Sequence, residues 1–451
     1  MKNRRKQKLT ELGVESLADA LLELAIQSDA ADDMVDRLIA TPQENTVRFR
    51  EKLSSLKQSR YFIDWRESLS FSRELEALLQ DLKAGVDDPL TGVELVSAFY
   101  ETDSRIFENC DDSSGHVGEV YQYDAKELFV EYASHCEDKV KVADIILKLQ
   151  ENDDYGVRDT LIDCASDCLP ETAIRSMITK LQKLVENEED EYRKRHNLRL
   201  IESLARQIKD PELFAETRIS FRGELTTAVY IDIARVYLES GDVHTAHSWL
   251  QKIPDNDTSH DYERDELLLN IYRQLGEDQK LTELLYKNFK SYRATDTLKE
   301  LLDVIGEDKR GDIILAETAE ILSDKKKFRS RDADFLISTG KIDAAETYLL
   351  DRASQINGDL YSSLLPLAQT METEERSIAA SVIYRCLLSS ILDRGYTKAY
   401  SYGVQYLKKL DTMADSISDW GNFEIHEVFK DRIYEAHKRK RSFWPKYERK
   451  L

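Results

Sequence analysis

The sequence predicts an all-α protein: a right-handed α-solenoid of helical hairpins, tetratricopeptide-like in the centre, with helical capping regions at both ends. Three observations carry that expectation. Gly (16) and Pro (7) are scarce, whereas a large β-sandwich or a dinucleotide-binding fold needs both for its turns and phosphate loops. Apolar residues recur at helical spacing along the chain, and strand-like alternation is nowhere sustained. Finally, Gly241, Gly276, Gly306 and Gly340 stand 35, 30 and 34 residues apart, near the tetratricopeptide period of about 34.

The elements follow in order. Leu17, Ala20, Leu21, Leu24 and Ala25 share one helical face, with Ser16 and Asp19 placed like a capping box. A hairpin follows in "ENTVRFREKLSSLKQS" and "DWRESLSFSRELEALLQDLKAG", stopped at Gly85 and "DDP". Leu95, Val96 and Phe99 begin another helix, and "EVYQYDAKELFVEYASHCEDK" continues the pattern beyond a polar loop. From 140 to 210 helices are interrupted at "NDDYG" and "CLPE", and "ENEEDEYRKRH" reads as a solvated helix face. In the repeat region a leucine stands nine residues after each glycine (Leu250, Leu285, Leu315, Leu349). It is preceded by Trp249, Leu284, Ile314 or Tyr348. Such units bury their apolar faces only by stacking. "IAASVIYRCLLSSILDRG" and "KAYSYGVQYLKKLDTMA" pair across Gly395, and Ile425, Phe429, Ile433 and Ala436 form a last stripe. The expected divisions are a helical domain over 1–215, repeats over 216–357, and a cap with a basic tail over 358–451.

The chain has 451 residues, too many for one ordinary core. A net charge of -22 argues against wrapping nucleic acid along its length. The basic residues gather at the tips, in "KNRRKQK" with Lys8 and in "KRKRSFWPKYERK". Five cysteines without a Cys-x-x-Cys pair fit a reducing compartment, with thiols buried as small hydrophobes. Four acids in "LTELGVESLADALLELA" argue against a secretory core, and no run reaches the ~18 apolar residues of a membrane span. A cytoplasmic location is expected, with no membrane association.

Three blocks carry a resemblance: "SRYFIDWRESLSFSRELEALL", "FENCDDSSGHVGEV", and "ILDRGYTKAYSYGVQYLKKLDTMADSISDW" with "HKRKRSFW". Together they resemble a family of uncharacterised bacterial proteins, a domain of unknown function, from about Leu9 to Trp444. The resemblance implies an all-helical, repeat-like fold and no particular activity. The ending is also similar to the helical region that follows the zinc finger in SWIM-type proteins. That finger needs Cys-x-Cys and Cys-x-His, which this chain lacks, so no zinc is carried over.

Candidate sites are few. In the loop 107–120, Asp112, Ser113 or Ser114 can cap the following helix, with Gly115 permitting a positive-φ turn. The same atoms suggest a ligand site of Asp111, Asp112, Ser113, Ser114 and His116: a helix start favours an anion, and paired carboxylates favour a divalent cation. His244 and His247 have metal-ligand spacing without a further ligand nearby, so a repeat-helix surface is expected. Cys164 and Cys168 read as buried thiols. "HEVFK" lacks the second histidine of a zincin, Lys430 standing in its place. No phosphate loop, G-x-S-x-G or G-x-G-x-x-G is present. Lys438, Arg439, Lys440 and Arg441 with Trp444 can neutralise and stack single-stranded nucleic acid, or Trp444 can simply anchor the last helix.

The favoured reading is a non-enzymatic scaffold without a cofactor or metal. It binds a protein or peptide, of basic character given the acidic body, on a concave surface presenting Tyr230, Arg235, Asn270, Arg273, Asp334 and Ser338. The alternatives are a metal-dependent hydrolase centred on the 111–115 loop, and a nucleic-acid-associated protein acting through its basic termini.

Overall fold

Helices account for most of the computed structural model, which describes residues 5, 7, 9–151, 153–222, 225–324 and 327–448. Among those residues the β-type pairing is an isolated bridge between Ile63 and Cys110. Of the basic tips, Lys2, Arg4, Lys6, Lys8, Arg449 and Lys450 lie outside the described residues. The chain forms two compact units, Met1–Arg264 and Asp265–Leu451, where three stretches divided at 215 and 357 are expected from the sequence.

In the first unit α1 (Val14–Gln27) pairs with α2 (Asp29–Ile39), and α3 (Pro42–Gln58) with α4 (Ser68–Gly85). The capping box expected at Ser16 and Asp19 is a misreading. α1 begins at Val14, behind Gly13 at φ 85°, so both residues lie inside the helix, and none of its side chains is fully buried. A capping box does start α3: Thr41 accepts from the Glu44 N–H at 3.3 Å while its own N–H donates to Glu44 at 2.7 Å.

Next come α5 (Pro89–Tyr100), α6 (Asp103–Glu108), α7 (His116–Glu119), a π-helical stretch Val120–Ala125, α8 (Lys126–His135) and α9 (Lys139–Gln150). The wider π turn accompanies a bond outside the helix. The Tyr121 carbonyl accepts from the Tyr100 hydroxyl at 2.8 Å, and the Tyr121 hydroxyl pairs with Thr102 at 2.7 Å. After short α10 (Asp159–Asp163) and α11 (Ala165–Cys168), α12 (Glu171–Asn187) and α13 (Glu191–Gln207) form a hairpin. The stretch expected as one helix face is helical except at Glu188–Asp190, which form the turn between the two helices. Asp190 opens α13 by accepting from the Arg193 N–H at 2.9 Å. α14 (Pro211–Arg222), α15 (Thr227–Ser240) and α16 (Val243–Leu250) pack in sequence. Phe49, Leu78, Phe99, Tyr121, Ile146 and Ile174 are among the buried side chains that share one core.

The unit division falls within α17 (Asp261–Leu275). The second unit continues with α18 (Asp278–Ser291), α19 (Thr295–Ile305), α20 (Arg310–Ser323), α21 (Ser330–Ser338), α22 (Ile342–Asp351), α23 (Tyr361–Thr373), α24 (Ser377–Asp393), α25 (Tyr400–Ala414), α26 (His426–His437) and α27 (Trp444–Glu448). α18 packs on α19, α21 on α22, and α24 lies against both α23 and α25. Packing on sequence neighbours is what stacked hairpins require.

Three repeat turns behave alike. Gly241, Gly276 and Gly340 have positive φ, and the next helix begins two residues later. Leu250, Leu285 and Leu349 are correspondingly 4%, 2% and 0% exposed. The fourth differs: Leu315, expected inside, is 65% exposed. Gly306 leads into a 3-10 turn (Glu307–Lys309), so α20 starts at Arg310, four residues after the glycine. Two residues of delay rotate the leucine by about 200°, and Ile313 and Ile314 take the inner face.

The last stripe is also shifted. Phe429 and Ile433 are buried, but Ile425 precedes α26 and is exposed, as is Ala436; His426 takes the first inner position. His426 Nε2 and Lys430 Nζ lie 2.8 and 2.7 Å from Asp411 Oδ1, and the Tyr447 hydroxyl donates to Oδ2 at 2.5 Å. This network ties α25, α26 and α27 together. Burial alone would raise the Asp411 carboxyl, but hydrogen bonds from Lys430, Tyr447 and His426 hold it below the usual range. The stabilisation it supplies is therefore present above the unfolded carboxyl pKa of about 3.9 and is lost as pH falls through the lower folded value. Asp411→Asn flattens the acid limb of a stability-against-pH curve measured with urea.

Candidate functional site

The loop between α6 and α7 is organised by Asp112. Its Oδ1 accepts from the Val117 N–H at 3.0 Å and its Oδ2 from the Gly118 N–H at 2.8 Å, so both oxygens satisfy N–H groups that α7 itself leaves open. Gly115, left-handed at φ 77°, ψ 0°, turns the chain so that a residue five positions upstream can reach them. Asp111 accepts from the Ser113 N–H at 3.2 Å, and the Ser114 hydroxyl lies 2.9 Å from that of Ser68. His116 is 4.0 Å from Glu119. The structure thus brings Asp112, Gly115 and the helix start together as a cap. Burial, with Asp112 and Asp111 adding to it, pushes the Cys110 thiol up to about 11. Asp112→Ala costs about 1 kcal/mol in a urea titration, and Asp112→Asn, which keeps one acceptor, costs less.

Among the described residues no group of three or more His, Cys, Asp or Glu can hold a metal ion. His244 is exposed and His247 half-buried on α16. Burial pushes the thiols of Cys164 and Cys168 up to about 12 and about 11.

The six residues expected on a partner-binding face are divided between the units. Half-buried Tyr230 packs at 6.1 Å from Trp249, and Arg235 lies 3.7 Å from Asp232, both in the first unit. In the second, Asn270 accepts from Gln274 at 2.8 Å, Arg273 is exposed, and Ser338 bonds the Phe335 carbonyl at 3.2 Å. Asp334 is exposed, yet desolvation by the surrounding protein raises its carboxyl. Of the basic end, Lys438 pairs with Glu435 at 2.6 Å, and Arg439 and Arg441 are exposed while Lys440 is half-buried. Trp444 is buried, donates from its indole to the His437 carbonyl at 2.9 Å, and meets Tyr434, Phe443 and Tyr447 edge-on. It anchors the chain end to α26.

A more open feature lies where the turn at Gly358 meets α24. On one side is a groove of about 480 Å³. Tyr361, Tyr396 and Tyr402, all more than half exposed, line it together with Leu365, Arg394 and Lys398. On the other side a cleft of about 550 Å³ is lined by residues that include Arg385, Arg394, Arg432, Asp359, Asp393 and Glu424.

Arg385 is 8% exposed. Its guanidinium lies 4.4 Å from the Trp420 ring centre and 4.6 Å from that of Phe429. Nη1 donates to the Glu424 carbonyl at 2.7 Å. Nε and Nη2 have no hydrogen-bond partner among the described residues. Burial pushes this guanidinium down to about 10, against an opposing pull from the Glu424 charge. Sequence reasoning passed over it, although a signal was there: between Arg376 and Asp393, Arg385 is the sole charged residue of an otherwise uncharged helix.

A family of unknown function, DUF6880, matches residues 2–446. The chain belongs to the DUF6880 family. No curated protein matches this DUF6880 chain. Among solved structures it is similar to a circular tandem repeat protein with novel repeat topology and enhanced subunit contact surfaces. That similarity has 14% identity over 95% of this chain and 96% of the other, at a TM-score of 0.16.

Proposed function

We propose that this DUF6880 chain is a non-enzymatic helical-repeat scaffold that binds a protein or peptide. The observation that carries the reading is the groove beside Gly358. Three exposed tyrosines with two cations over an apolar floor form the kind of aromatic and basic patch from which protein-binding hot spots are built. The net charge of -22 further favours a partner carrying basic residues and speeds its encounter at low salt.

The test is affinity capture from the native cell with wild type and a Tyr361→Ala, Tyr396→Ala, Tyr402→Ala variant. Wild type retains a stoichiometric protein that the variant, folded by circular dichroism, retains at about tenfold lower yield or less. Equal retention by both removes the groove as the binding surface.

A further inference from the structure

The geometry points to a carboxylate-binding subsite at the Nε/Nη2 edge of Arg385, in the cleft between the Gly358 turn, α24 and α26. The inference goes beyond the scaffold reading and does not depend on it.

A guanidinium is planar and presents donors along its edges. The Arg385 guanidinium lies over two aromatic rings, Trp420 and Phe429, and Nη1 is engaged with the Glu424 carbonyl. What remains is the Nε/Nη2 edge, two N–H groups that match the spacing of two carboxylate oxygens. This chain uses that edge repeatedly. Arg158 holds Asp103 through Nε at 2.7 Å and Nη2 at 2.5 Å. Arg206 holds Glu239 in the same way. In the same cleft, Arg432 holds Glu424 through Nε at 3.2 Å and Nη2 at 2.9 Å.

The carboxylates nearby have other partners. Asp359 is 3.3 Å from Arg394 and accepts from Ser390, Asp393 is 3.2 Å from His437, and Glu424 is held by Arg432. Among the described residues Arg385 thus has no carboxylate hydrogen-bonded at its open edge. The same three carboxylates favour a monoanionic carboxylate over a phosphate dianion, which they repel. Both free nitrogens are shielded from solvent. Binding there therefore requires a local rearrangement, which the emission of the neighbouring Trp420 reports. The carboxylate can belong to a small acid or to the C-terminus of a peptide.

The experiment follows thermal unfolding and tryptophan fluorescence of the full chain against acetate, succinate, inorganic phosphate, and one short peptide with a free or amidated C-terminus. Expected is a carboxylate-dependent rise in unfolding temperature with a change in tryptophan emission. Arg385→Met and Arg385→Lys both weaken it by about tenfold or more, because lysine keeps the charge and loses the fork. Arg385→Met should itself unfold at no lower temperature than wild type. Should it fail to fold, Arg385→Lys alone decides. A response to acetate or succinate assigns a small acid; a response only to the free-terminus peptide assigns a chain end. Phosphate binding more tightly than every carboxylate probe overturns the proposal. So does the absence of any carboxylate response, or a response unchanged in the Arg385 variants.

Discussion

Gly358→Ala should destabilise the second unit by about 3 kcal/mol or more, the upper range for an overpacked core. A Cβ at this position would lie 2.1 Å from the Cys386 carbonyl oxygen, 2.6 Å from its carbon and 2.9 Å from Ser390 Cβ. The first two are backbone atoms of α24, which packs against both α23 and α25, so no side-chain rotation relieves the overlap. The turn has to lift from the helix. Urea unfolding of the full chain measures the loss, and Gly311→Ala provides the control of opposite sign. Gly311 lies in α20, and an added Cβ there meets nothing within 4 Å; alanine should gain about 0.5 kcal/mol by stiffening the unfolded chain. Equal destabilisation by both would mean that the close approach at Gly358 is not what holds the turn.

The helices were legible because burial leaves a periodic trace. Leu75, Leu78, Leu79 and Leu82 repeat at helical spacing along α4 and are inside. Where the expectation failed, the deciding contact was local and nonperiodic. Leu315 keeps its distance from Gly306 in sequence, but the 3-10 turn after that glycine changes which way the next helix faces. Likewise, "ENEEDEYRKRH" satisfies one helical pattern, but it is broken at Glu188–Asp190, where the Asp190 carboxylate reaching the Arg193 N–H starts a new helix.

The candidate site was less legible, for a reason visible at two residues. Asp112 stands out in sequence because a pair of acids, two hydroxyls and a histidine cluster around Gly115, yet both its oxygens serve the backbone. Arg385 is marked in sequence only as the lone charge between Arg376 and Asp393, which does not say what it does. Its character depends on Trp420 and Phe429, which lie far along the chain, and on the absence of an acceptor among the described residues at one edge. Such an arrangement arises from tertiary placement and leaves no spacing to read.

Arg158→Met tests that distinction from the other side. Here the same guanidinium edge is filled: Asp103, fully buried, receives both nitrogens, and Arg158 Nη1 also donates to the Leu149 carbonyl at 3.0 Å near the end of α9. Removing the arginine strands a buried carboxylate, which costs about 3–5 kcal/mol, and leaves that helix-end carbonyl without its donor. Removing the pair together, as Asp103→Leu with Arg158→Met, should cost less than the sum of the two single changes by about 2 kcal/mol or more, because neither variant side chain then carries a charge into the core. A urea-based double-mutant cycle measures that coupling, and additive losses would show that the bond contributes little beyond its packing. Set beside Arg385→Met, the comparison is direct: one arginine loses a carboxylate it already holds, the other has none to lose, and the two substitutions should differ in sign or by several kcal/mol.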